Sequence, residues 1–284
     1  MRKLRISCCI KVLLIFGGII LIQMVSSMAF MAAYTFLKIF QGASYNDIIQ
    51  SVNTDSLMWI SIISATLSMI WCLVLYLRSS WRIKGMDYKE VFSLKNIAGI
   101  FAAGAGGCIS ISVLLSMIMA LFPNAFDNYN RLMENLDSDG GALTIIYVTL
   151  IGPVSEELIF RGAIFDRMHL AFPFWTANAI QAALFGIYHM NLVQGIYAFL
   201  LGMVLGMVVY STGSILCSIA THIIFNSTTY IMQYVFGGDS PILAFLYIIC
   251  IIISFVILVL SLIYFISKCQ KKYNMEKMQS YNMN

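Results

Sequence analysis

Residues 242–267 read ILAFLYIICIIISFVILVLSLIYFIS, a stretch without a single charged side chain. At about 1.5 Å of rise per residue, a helix of that length exceeds the about 30 Å of a bilayer's hydrocarbon core. The stretch predicts a membrane-spanning helix, and the rest of the chain repeats the pattern. Hydrophobic residues make up 60% of the 284 and charged residues 11%, with a mean hydropathy of +0.86. A soluble domain carries about 25% charged residues. Candidate spans fall at about 12–37, 57–77, 97–122, 142–168, 173–191, 194–211, 213–236 and 242–267. The predicted fold class is therefore all-α, a polytopic membrane protein of about eight transmembrane helices.

The amino terminus starts like a signal peptide, with Arg2, Lys3 and Arg5 before an apolar run. That run continues from Val12 to about Leu37, too long for a signal core, and no small-residue cleavage site follows. It is expected to stay as the first span. Cysteines 8, 9, 72, 108, 217, 250 and 269 form no CxxC pair and mostly sit in apolar runs. They are expected to be small apolar fillers rather than a disulfide framework. Gly17, Gly18, Gly104, Gly106 and Gly107 lie within spans and predict close helix packing.

Charge sorts by loop. Arg2, Lys3, Arg5 and Lys11 precede the first span, Arg78, Arg82, Lys84, Lys89 and Lys95 follow the second, and Lys268, Lys271, Lys272 and Lys277 follow the last. The alternate loops carry Asp47 and Asp55, then Asp127, Glu134, Asp137 and Asp139, with Arg131 as the base there. The positive-inside rule places both termini in the cytoplasm, which requires an even number of spans. The basic loop is expected to touch anionic lipid headgroups. No aromatic-basic motif or soluble basic domain points to nucleic acid. The chain divides into amino-terminal helices with the basic loop (1–141), a core (142–236), and a last helix with a basic tail (237–284).

Ionisable groups inside spans are costly, about 2.5–3.5 kcal/mol for a central Asp, Lys or Arg, so they are functional candidates. The fourth span holds Glu156, Glu157 and Arg161, the fifth ends Phe185-Gly-Ile-Tyr-His189, and the seventh contains His222-Ile-Ile-Phe-Asn226. Residues four apart share a helix face, which pairs Glu157 with Arg161, Phe185 with His189 and His222 with Asn226. Counted from a turn near residues 171–173, Glu156 and His189 lie about 22 and 24 Å along antiparallel helices, at similar depth. His222, counted from Gly213, lies about 14 Å in and is shallower. By themselves these residues fit helix–helix glue, an ion or proton path, or a catalytic site.

At these positions the sequence resembles the CPBP family, the CAAX-protease and bacteriocin-processing or Abi family. Its EExxxR motif corresponds to Glu156-Glu157-Leu-Ile-Phe-Arg161, its FxxxH to Phe185–His189, and its HxxxN/D to His222–Asn226. All three occur in order, each within a predicted span. The resemblance covers about 142–236. It implies an intramembrane endopeptidase in a bacterial or archaeal cell membrane. Substrates of such relatives are prenylated CAAX proteins or small hydrophobic peptides.

Peptide hydrolysis needs an activated water, a proton donor to the leaving amine and stabilisation of the oxyanion. By resemblance, Glu156 is the general base and His189 positions the water. Glu157 is held by Arg161, and His222 and Asn226 donate to the oxyanion. Metal-independent chemistry is expected; the alternative is a zinc enzyme with Glu156, His189 and His222 as ligands, although no HExxH is present. A different class is a non-catalytic membrane immunity or scaffold protein, which would not need an acid–base pair.

Overall fold

The computed structural model describes residues 2–51, 54–78, 88–127, 129, 141–238 and 240–282. The loop charges Arg82, Lys84, Arg131, Glu134, Asp137 and Asp139 lie outside the described residues. Eight principal helices follow one another: α1 (Arg2–Phe40), α2 (Thr54–Arg78), α3 (Leu94–Leu121), α4 (Ala142–Ala171), α5 (Phe174–Tyr188), α6 (Leu192–Thr212), α7 (Ile215–Phe236) and α8 (Pro241–Asn282). No strand occurs among the described residues. The protein is an all-α, polytopic membrane protein.

Seven of these helices are long and apolar enough to cross a bilayer. The exception is α5, whose 15 residues span only about 22 Å. The eight expected spans are thus seven full-length helices and one short one. The shortness of α5 has a local cause. His189 ends the helix, and Met190 takes a left-handed backbone (φ 55°), a conformation unusual for a residue with a side chain. Asn191 then accepts hydrogen bonds from the Val193 and Gln194 amides and starts α6. The chain therefore turns back beside His189, and α5 and α6 pack as an antiparallel hairpin.

Both ends of the chain meet the same end of the bundle. Arg5 Nε donates to the Ala171 carbonyl at 3.3 Å, and His169 lies 3.5 Å from Glu276. Tyr210 donates to Glu276, and Lys272 donates to the Tyr210 carbonyl at 2.8 Å. The start of α1, the α4–α5 turn, the end of α6 and the tail of α8 thus share one face. At the opposite face, Ser44 donates to Asp47 from both its hydroxyl and its amide. The hydroxyl contact chiefly holds the Asp47 carboxyl below the usual carboxylate range.

Helix α4 is irregular. Tyr147–Ile151 and Leu158–Phe165 are wound as π-turns around the regular segment Gly152–Glu157. Such widened turns concentrate at functional sites because they re-aim side chains and free backbone groups. In the register set by the Gly152 amide, which reaches the Tyr147 carbonyl, the next donor would serve Val148. That position is Pro153, which has no N–H. Asn226 Nδ2 on α7 donates to the Val148 carbonyl instead, at 2.8 Å.

Close packing holds α3 against α7. A Cβ on Gly104 would lie 2.7 Å from the Thr221 carbonyl oxygen, adjacent to His222. Gly106 approaches Ser254 of α8 as closely, and Gly18 faces the ring of Trp71. Gly17 meets nothing within 4 Å, so that glycine does not serve the packing expected of it. Gly104→Val is expected to push α7 away from α3 and cost about 1–3 kcal/mol. A thermal unfolding curve in detergent would read this as a lowered midpoint.

Candidate active site

Glu157 is the centre of the buried network. It is fully buried on α4. Its Oε1 accepts from Arg161 Nη1 and from His222 Nδ1, each at 2.9 Å, and its Oε2 accepts from the Ser218 hydroxyl. A buried carboxylate is tolerable only with such partners. Ser218 also reaches the Leu205 carbonyl, which ties α7 to α6 at this point.

Arg161 is held on three sides. Nη1 binds Glu157, Nη2 donates to the Gly202 carbonyl at 3.4 Å, and the guanidinium lies over the Phe185 ring at 4.6 Å. Gly202's carbonyl also accepts from Gln181 Nε2 at 2.8 Å. Phe185 presents its edge or face to His189 and His222 as well, with centroids 4.9 and 5.8 Å apart. One aromatic ring therefore joins the three sequence motifs.

His222 stands between the two glutamates. Its Nδ1 donates to Glu157, because a carboxylate oxygen can only accept there. Its Nε2 faces Glu156 Oε2 at 3.7 Å. Glu156 belongs to a different environment from Glu157. Its side chain is 18% exposed and lines a cavity of about 420 Å³ together with His189, His222 and Asn226. His189 Nδ1 donates to the Phe185 carbonyl at 2.9 Å, which leaves Nε2 as its other ring nitrogen.

The structure thus brings together all six residues singled out in the sequence. Glu156 and His189 reach one cavity from antiparallel helices, as the hairpin count anticipates. The shallow depth expected of His222 is corrected. The α6–α7 turn is recessed: Thr212 and Ser214 are buried, and Ile215 packs where a Cβ on Gly162 would point. Beginning α7 at the level of Gly162 rather than of Ala171 drops His222 to Glu157. The tail of α8 covers the recess, with Cys269 Sγ against the Met207 carbonyl.

Ser218 was not among the sequence candidates. It sits four residues before His222, on the face that also carries Asn226, so helical spacing alone could have found it. Phe185 carried no chemical role in the sequence, and Gly202's carbonyl has no sequence signal at all. Glu156, His189 and His222 do not form a three-ligand set: among the described residues no three His, Cys, Asp or Glu side chains are grouped to share one metal ion.

Residues 138–228 match the family described as Type II CAAX prenyl endopeptidase Rce1-like. All three motifs lie inside the matched segment, so the CAAX-protease resemblance holds over residues 138–228. The Bacillus subtilis protein named "Putative membrane peptidase YdiL" is 32% identical over 91 residues, covering 32% of this chain and 37% of that one. A second Bacillus subtilis protein, "Uncharacterized protein YpbD", is 26% identical over 143 residues, 50% of this chain and 74% of that one. The match thus spans little more than a third of YdiL's length. No solved structure matches the chain significantly. The apolar helices and these bacterial relatives describe a multi-pass protein of a bacterial membrane.

Proposed function

We propose that the protein is an intramembrane endopeptidase that hydrolyses a peptide bond in a membrane-associated peptide or lipidated protein. The observation that carries this is the division of labour between adjacent glutamates. Glu157 is locked by Arg161, His222 and Ser218, whereas Glu156 faces a cavity beside the second histidine. Helix glue would need the first of these and has no use for the second.

In this mechanism Glu156 takes a proton from a water held between it and His189 Nε2. The hydroxide adds to the scissile carbonyl carbon, and Glu156 returns the proton to the leaving amine. His222, its Nδ1–H held by Glu157, donates to the developing oxyanion through Nε2–H when its ring carries both protons. Asn226 has a second amide hydrogen beyond the one given to Val148, and that hydrogen is the other donor. Each such donor contributes about 3 kcal/mol to the barrier reduction. No step calls for a metal.

The test compares peptides from cells making wild-type protein with those from cells making Glu156→Gln, by mass spectrometry. The expected result is a set of products missing, and their uncleaved parents accumulating, in the variant. Identical peptide sets would favour a non-catalytic immunity or scaffold protein.

A further inference from the structure

The cavity has a direction. Its floor is Glu156 on α4 and His222 on α7. From there its lining runs to Tyr147 on α4, Gln233 on α7, Gln194 on α6 and Leu115 on α3. Each of those residues lies toward the helix end remote from the chain termini. Along α7, the path from His222 to Gln233 is about 16 Å. Gln233 is exposed at its far end.

The other direction is closed. Behind Glu156 come Glu157, Arg161, Ser218 and Gln181, all buried. Behind these, Phe165, Phe174 and Tyr210 are buried and packed ring on ring, with Phe174 and Tyr210 stacked at 4.1 Å. The tail of α8 then seals the face through Lys272 and Glu276 on Tyr210.

The two faces differ in charge. Arg2, Lys3, Arg5, Arg78, Lys95, Arg167, Lys268, Lys271 and Lys272 lie at or near the sealed end of their helices. Of the described lysines and arginines, Lys38 lies at the cavity's end. Lysine and arginine accumulate on the cytoplasmic side of membrane proteins. The sealed face is therefore the cytoplasmic one.

From the cavity's direction, its sealed floor and this charge asymmetry, we infer that the site is loaded from the extracytoplasmic side. Its substrate class is then an uncharged peptide segment seated at the outer leaflet, part of an exported or membrane-spanning chain. Among the cavity's described lining residues, Glu156 is the acidic one and no lysine or arginine appears; Gln194, Gln233 and Asn226 offer neutral amides suited to a peptide backbone. A prenylated tail on the cytoplasmic side would meet the packed aromatic layer. The substrate part of this inference rests on the proposed endopeptidase activity; the side of entry does not.

The experiment uses the full chain in intact cells, with Gln233→Cys at the mouth and Lys271→Cys on the sealed face, both exposed positions. A membrane-impermeant maleimide is applied before and after permeabilisation, and the labelled peptides are read by mass, which separates them from native cysteines. Gln233→Cys is expected to gain one maleimide mass in intact cells, and Lys271→Cys only after permeabilisation. The reverse pattern, labelling of both in intact cells, or no labelling of Gln233→Cys in either state overturns the inference. The same labelling in a Glu156→Gln background reads the side of entry without any cleavage. If the parents that accumulate with Glu156→Gln are cytoplasmic prenylated tails, the outer-leaflet substrate fails while the endopeptidase stands.

Discussion

Glu156→Gln is expected to lower the cleavage rate by about 10³-fold or more, while the protein still inserts and unfolds at nearly the wild-type temperature. The amide keeps the shape of the carboxyl and loses the ability to carry a proton, and general acid–base catalysis contributes about 10²–10⁴ in rate. Stability should survive because Glu156 stands outside the Glu157–Arg161–Ser218 network. Its side chain reaches the cavity, and His222 Nε2 lies 3.7 Å from its Oε2. The check is a paired measurement on purified protein: cleavage of a parent peptide found by the peptide comparison, and thermal unfolding in the same detergent. Cleavage at the wild-type rate would remove Glu156 from the chemistry.

Arg161→Ala is expected to act in the opposite way, through the fold first. The Arg161–Glu157 pair has no exposure on either side chain. Removing one partner of a buried pair leaves an uncompensated charge and costs about 3–5 kcal/mol. Glu157 would then draw on His222 and Ser218 alone, and the imidazole that faces Glu156 would shift with it. Activity should fall together with the unfolding temperature. Arg161→Lys should rescue little, since an ammonium cannot bind Glu157 Oε1 and the Gly202 carbonyl while lying flat on Phe185. The double variant Glu157→Gln/Arg161→Met should be more stable than Arg161→Ala, because no lone charge remains. A double variant no more stable than Arg161→Ala would mean the pair's charge is not what the fold needs.

These two variants separate roles that adjacent residues play about 100° apart on one helix. Glu157 points into protein and is paired; Glu156 points into the cavity. The doublet in the sequence says that one of them can pair with Arg161, four residues on. Which glutamate faces protein and which faces the cavity depends on how α4 is rotated against α6 and α7, where Gly202, Ser218 and Phe185 contact the Glu157–Arg161 pair. The same holds for Asn226. Its spacing from His222 put it on the right face, while its bond to the Val148 carbonyl follows from a widened turn and a proline that no periodicity reports.

By itself the sequence determined that the chain is helical and crosses a membrane, because long uncharged apolar runs have no other stable solution in lipid. It also singled out the ionisable residues that the structure gathers at one buried network and cavity, because an ionisable group in such a run is too costly to leave unpartnered. Tertiary structure decided the rest. The recessed α6–α7 turn brings His222 level with Glu157, and the left-handed Met190 ends α5 at His189. The packed Phe165, Phe174 and Tyr210 layer closes one end of the cavity. The Met190 turn is local but leaves no periodic signal, whereas the recess and the aromatic layer depend on contacts between residues far apart in the chain; a one-dimensional pattern of apolar and charged positions carries helix faces but not the distances between helices.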